Sequence, residues 1–283
     1  MEPISFDPYD AAIAADPYPL YARMREEAPL YYNPEYDFYA VTRYEDCERG
    51  LVDAKHHISG RGGILELIKA NVAMPSGTLI FEDPPAHTAH RSLLSRVFTP
   101  RRVAALEPQI RAWCAECLDP LRDADEIDFV ADLGAQMPMK VVGMLFGIPE
   151  DDQAKVRDAS DARLRTEAGK PMAVEENPTF GSEGFADYID WRIDHPSDDL
   201  MTELLHTEFV DEHGVTRTLS RDEALMYTTV VAGAGNETTT KLIGWAGKVL
   251  AEHPDQRADL VADRSLLPNA VEELLRYEPP GPH

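Results

Sequence analysis

Apolar residues recur at intervals of three and four along most of this chain, and that spacing predicts a mainly helical protein. Leu20, Tyr21 and Met24 keep the spacing behind Pro17 and Pro19, which predicts a helix from Tyr18 to Glu27. Further helices are expected at about 44–52, 86–98, 102–122, 133–146, 151–168, 182–194 and 198–208, punctuated by Pro100, Pro149 and Pro171. The longest periodic run opens at Ser220-Arg221-Asp222-Glu223 and reaches Glu252, just before Pro254. Its first residues form a capping box: the Ser hydroxyl accepts an early helix N–H while Glu223 reaches back. Two last helices are expected at 255–263 and 268–277. Leu30-Tyr31-Tyr32 and Phe38-Tyr39-Ala40-Val41-Thr42 are aromatic and β-branched around Asn33-Pro34-Glu35, which predicts a hairpin. Residues 54–84 and 169–181, rich in Gly and Pro, read as loops, the first with a turn or two of helix at Ile64-Leu65-Glu66-Leu67-Ile68. With no internal repeat or linker, one domain over 1–283 is the simplest division. An isolated two-stranded sheet is marginal in water, so the pattern also implies that something completing the sheet is absent.

Composition narrows the class. The 283 residues carry 27 Lys+Arg against 51 Asp+Glu, a formal charge of −24. Nucleic acid and anionic membranes attract the opposite sign, so neither is an expected partner. Hydrophobic residues at 43% rule out a disordered chain. No uncharged apolar run reaches the length of a membrane span, and Met1-Glu2-Pro3-Ile4-Ser5-Phe6-Asp7 lacks the features of a signal peptide. Cys47, Cys114 and Cys117 are few and odd in number, which fits a reducing compartment. A soluble cytoplasmic protein is expected.

Four motifs carry candidate chemistry. Inside the longest helix runs Val230-Val231-Ala232-Gly233-Ala234-Gly235-Asn236-Glu237-Thr238-Thr239-Thr240. Two helical glycines cost about 1 kcal/mol each relative to Ala, and they leave room either for a flat ligand or for close helix packing. Thr hydroxyls can bond back to the carbonyl one turn earlier and bend the helix. Glu273 and Arg276 lie three apart on one helix face, as a surface ion pair or as a buried structural one. His87 and Arg91, just inside a helix start, can hold an anionic group such as a carboxylate. His87 with His90 could suggest a metal, but no Asp, Glu or Cys on that helix completes the set. Cys114-Ala115-Glu116-Cys117 lies on an apolar stripe with no second Cys pair, so core cysteines are expected there.

Taken together and in order, these motifs resemble the bacterial soluble cytochrome P-450 family. Asp16-Pro17-Tyr18-Pro19 is similar to its opening helix, and Tyr39 to Asp46 to the exit from its first sheet. Phe81-Glu82-Asp83-Pro84-Pro85 through His87, Arg91 and Phe98 to Arg102 resembles the helix on the proximal side of haem. Ala234-Gly235-Asn236-Glu237-Thr238-Thr239 resembles the oxygen-binding segment, and Glu273 to Arg276 the buried Glu-x-x-Arg.

The resemblance implies a mainly α cytochrome P-450 fold, its N-terminal helical part with a residual β-hairpin, and a haem-thiolate monooxygenase that activates O2 to hydroxylate an apolar organic substrate. It implies heme b (iron protoporphyrin IX), with His87 and Arg91 on a propionate and Ala234 and Gly235 admitting the porphyrin. Glu237 and Thr238 would be the acid–alcohol pair that delivers protons. Glu273 and Arg276 would be structural, and residues 54–80 and 169–181 would line and gate the substrate pocket. The implied partners are a ferredoxin-type electron donor with an NAD(P)H reductase. Arg91, Arg96, Arg101, Arg102 and Arg111 against Glu107 make a basic patch that is either the docking face or incidental. The family ligates iron through a Cys in a Phe-x-x-Gly loop after the Glu-x-x-Arg helix. None of the three cysteines lies in such a loop, and the chain ends seven residues after Arg276. The axial Cys is therefore expected beyond residue 283, with the C-terminal sheet and Cys loop absent and His283 a substitute only in principle. The alternative reading is a truncated, non-catalytic fragment unable to ligate haem iron.

Overall fold

The computed structural model describes residues 3–164, 169–172, 174 and 182–281. Most of the predicted loop 169–181, the end of the predicted helix 151–168, and His283 lie outside these residues. The chain divides into two compact units.

The first unit comprises residues 1–91, 164–179 and 210–216. It opens with α1 (Ala11–Ala15), which the apolar pattern did not signal, and α2 (Tyr18–Glu27), whose Met24 is buried. The predicted hairpin follows as β1 (Leu30–Asn33) and β2 (Phe38–Val41), antiparallel with Leu30 opposite Val41 and Asn33 opposite Phe38. Asn33 is buried and shapes the tip. Its Oδ1 accepts the amides of Glu35 (2.8 Å) and Tyr36 (2.9 Å), and its Nδ2 donates to the Phe6 carbonyl at 2.8 Å. That bond ties the hairpin to the N-terminal segment, where the Phe6 ring meets Tyr21 and Phe38 edge-on. Two helices, α3 (Tyr44–Val52) and α4 (Leu65–Ala70), lead to the start of α5 (Ala86–Val97).

The second unit comprises residues 92–163, 180–209 and 217–283. Its helices are α6 (Pro100–Leu118), α7 (Met137–Phe146), α8 (Glu150–Leu164), α9 (Glu183–Asp194) and α10 (Leu200–His206). A short ribbon that the sequence did not betray comes next in the chain, β3 (Phe209–Val210) with β4 (Thr216–Arg217), of which Val210 and Thr216 are counted with the first unit. Then runs α11 (Arg221–Glu252), followed by α12 (Pro254–Ala262) and α13 (Leu267–Tyr277).

The capping box forms as expected. The Glu223 amide donates to Ser220 Oγ at 3.2 Å, and the Ser220 amide to Glu223 Oε2 at 2.9 Å. The first half of α11 is the centre of this unit: Tyr227, Phe146, Phe185, Ile189, Met201 and Leu204 are all buried around it. From Glu237 onward α11 buries no residue, and neither does α12 or α13. No described helix is long and apolar enough to cross a membrane.

Candidate functional site

Helix α5 starts after Glu82-Asp83-Pro84-Pro85, where the His87 amide donates to the Asp83 carbonyl at 3.0 Å. One helical turn separates His87 from Arg91, so the two share a face; His87 is half-buried and Arg91 exposed. His90 turns inward and is buried, its Nδ1 2.7 Å from Glu82 Oε2. His87 and His90 therefore lie in different surroundings, His87 half-buried beside Arg91 and His90 buried against Glu82. Among the described residues no group of three or more His, Cys, Asp or Glu could hold a metal ion.

In the second unit, Ala234 and Gly235 are exposed midway along α11. The two glycines divide the alternatives the sequence left open. A Cβ on Gly235 would come 3.3 Å from Val142 of α7, so that glycine permits close packing, whereas a Cβ on Gly233 would meet nothing within 4 Å. The Thr238 hydroxyl donates back to the Ala234 carbonyl at 2.5 Å, as Thr in a helix interior can. Glu237 is a third exposed and pairs with Lys241 one turn on, Nζ to Oε1 2.6 Å, a partner the sequence motif did not flag. Asn236 is buried on the same stretch, and its Oδ1 and the Thr240 Oγ1 are buried without a hydrogen-bond partner.

Arg276 grips Glu273 through two parallel bonds of 2.7 Å each. The grip holds the Glu273 carboxyl below its ordinary range and raises the guanidinium. Both side chains are largely exposed, 68% for Arg276 and 58% for Glu273. A cavity of about 410 Å³ beside them, among α11, α12 and α13, holds none of the other candidate residues.

The cysteines of α6 are half-buried, and burial pushes the Cys117 thiol up, which makes a poor thiolate. The basic patch is thinner than its count suggests. Arg102 is paired with Glu203 and Arg111 with Glu107, and Arg96 donates to the Glu208 carbonyl at 3.0 Å. Arg101 stays exposed.

Each unit by itself carries groups of the kind that part of a porphyrin needs. A propionate needs N–H donors on one exposed face, which His87 and Arg91 supply, and a flat macrocycle needs backbone without bulky side chains, which Gly233 and Ala234 supply. An axial thiolate for iron is not evident in Cys47, Cys114 or Cys117; the Cys47 thiol donates to the Val41 carbonyl at 3.3 Å.

No family model matches the chain. The putative cytochrome P450 123 of Mycobacterium tuberculosis is 37% identical over 278 residues, covering 96% of this chain and 67% of that protein. The cytochrome P450 monooxygenase PikC of Streptomyces venezuelae is 35% identical over 272 residues, 94% of this chain and 64% of PikC. Among solved structures, cytochrome P450 CYP109Q5 from Chondromyces apiculatus superposes with a TM-score of 0.80 at 34% identity, over 97% of this chain and 68% of that one. The chain thus spans about two thirds of the length of the curated relatives it matches. Identity of this size, sustained over nearly every described element, leaves one conclusion: the chain belongs to the cytochrome P450 family.

Proposed function

We propose that this chain supplies the distal helix and the propionate clamp of a haem monooxygenase acting on an apolar organic molecule. Haem, when bound, supplies the reductive activation of dioxygen and the insertion of one oxygen atom. Arg91 and His87 donate to the propionates and orient the macrocycle. Ala234 and Gly233, without bulky side chains, let the helix backbone come close to it, while Gly235 packs against Val142 of α7. Thr238 holds its hydroxyl on the Ala234 carbonyl, from which it can rotate to pass a proton onward. Glu237 feeds that hydroxyl after leaving Lys241, an exposed ion pair that is weak enough to exchange. The observation that carries this reading is the back-bonded Thr238 on an exposed, side-chain-poor stretch of α11.

Electrons come, on this reading, from a ferredoxin-type donor and an NAD(P)H reductase, with Arg101 at the docking face. Reversing Arg96 and Arg101 to Glu should slow reduction at low salt, and unchanged stopped-flow kinetics would remove that surface from consideration. A second reading concerns the chain by itself. Cys47, Cys114 and Cys117 do not offer the axial thiolate, so residues 1–283 alone act as a non-catalytic fragment.

The reduced, CO-bound spectrum decides between the two. This chain is to be compared with a form completed by the portion of a relative that the alignment leaves uncovered. A thiolate-type band in the completed form only supports both statements, and none in either form defeats the monooxygenase reading. In the completed form, Thr238→Ala should uncouple electron consumption from product while leaving haem content unchanged.

A further inference from the structure

The mechanism leaves unused a buried acid–base pair in the first unit. Glu82 and His90 lie eight residues apart, with side chains only 11% and 2% exposed. Glu82 uses both oxygens: Oε1 accepts the Gly77 amide at 2.9 Å and Oε2 takes the His90 Nδ1–H at 2.7 Å. A carboxylate only accepts, so the imidazole proton must sit on Nδ1. Asp83, the next residue, accepts the amides of Ser59 (2.7 Å) and Gly60 (2.9 Å). Two successive carboxylates thus fasten three amides of the 54–84 loop to the start of α5. Of the two, only Glu82 also reaches into the helix, because His90 is on it.

That link fixes how α5 is turned about its axis. Each residue advances a helix by about 100°, so a modest rotation would swing His87 and Arg91 away from any fixed anion. We propose that Glu82 and His90 are positioning residues for haem binding, holding α5 at the rotation that presents His87 and Arg91 to the propionates. The proposal rests on the haem-binding reading above. A buried hydrogen-bonded pair suits this task, since neither partner can leave without stranding the other away from water.

The test titrates the completed form described above with ferric protoporphyrin IX, followed by Soret absorbance, and measures hydrogen exchange at the Gly77 amide. His90→Leu should weaken haem binding about tenfold and speed the Gly77 exchange by a similar factor. His90→Asn keeps a donor near the position of Nδ1 and should restore both. Should His90→Leu fail to fold by circular dichroism, Glu82→Gln replaces it: one acceptor oxygen becomes an NH2 group facing a donor, and the same loss is expected. Arg91→Leu is the control that removes a propionate donor directly. Faster Gly77 exchange with wild-type haem affinity, beside an Arg91→Leu that binds weakly, overturns the positioning role and leaves the haem reading intact. No Soret change in the wild type, or unchanged affinity in both Arg91→Leu and His87→Leu, overturns the haem reading and this proposal with it.

Discussion

Two arginine–carboxylate pairs in the second unit have the same 2.7 Å contact and opposite surroundings. Arg276 and Glu273 meet through two parallel bonds on the surface of α13. Arg192 and Asp199 meet where the ends of α7 and α9 approach the start of α10, with side chains 8% and 5% exposed. Arg192 also donates to the His195 carbonyl at 3.1 Å and lies over the Trp191 ring, its Cζ 4.7 Å from the centroid. Asp199 caps α10 by accepting the Thr202 amide at 2.8 Å, and takes the Ser197 hydroxyl at 2.7 Å. Gly147 makes the close approach possible: its φ is +67°, and a Cβ there would run into Arg192 and Asp199. Contact geometry is therefore a poor guide to what a pair contributes. Water screens the surface pair and would solvate either partner alone, whereas the buried charges lie away from water and their other partners are neutral.

Arg192→Met separates the two cases most sharply. It leaves the buried Asp199 carboxylate with neutral donors only and should cost about 3–5 kcal/mol, read as a shift of the urea midpoint. A loss as small as that of a surface pair would break the comparison. Arg217 and Glu223 supply the intermediate case, with 30% and 10% exposure and bonds of 2.6 and 3.0 Å. Arg217→Met should cost about 1–2 kcal/mol, because water reaches this pair more freely than Arg192 and Asp199 and Glu223 keeps the Ser220 amide.

Titration reads the effect of burial in the first unit. Burial first, then the hydrogen bond and charge of Glu66, push the Tyr9 phenol from 10.0 up to about 12. The raised value means that its contribution is full below pH 10 and fades as pH rises through about 12. Tyr9→Phe should flatten the alkaline limb of stability in that window, measured by thermal melts from pH 9 upward. The smallest effect is expected at α13. Glu273→Gln should leave the melting temperature of this chain within error at pH 7. Only at acid pH should wild type and variant converge fully, since the lowered carboxyl loses its contribution as pH falls through its folded value. A large loss at pH 7 would mean that the pair is covered in solution.

The local features were legible because they depend on neighbours along the chain. The capping box at Ser220 and Glu223, the hairpin around Asn33, the His87–Arg91 spacing and the return of the Thr238 hydroxyl to Ala234 all follow from turns of the helix or strand. Helix boundaries came within a few residues where Pro or a cap marked them. The 209–217 ribbon was missed because strands of two residues leave no periodicity to read.

What sequence determined by itself was therefore the helical character and the family resemblance, and it supplied the candidate groups for the proposed haem site. Tertiary structure alone decided which polar groups lie away from water and which find a distant partner: Arg192 is buried among the α7, α9 and α10 ends and His90 against Glu82, while the exposed Arg102 meets Glu203, 101 residues further on. Periodicity specifies which face of a helix is apolar, but a polar side chain takes its energy from whatever the fold brings beside it. That neighbour is fixed only when distant segments pack.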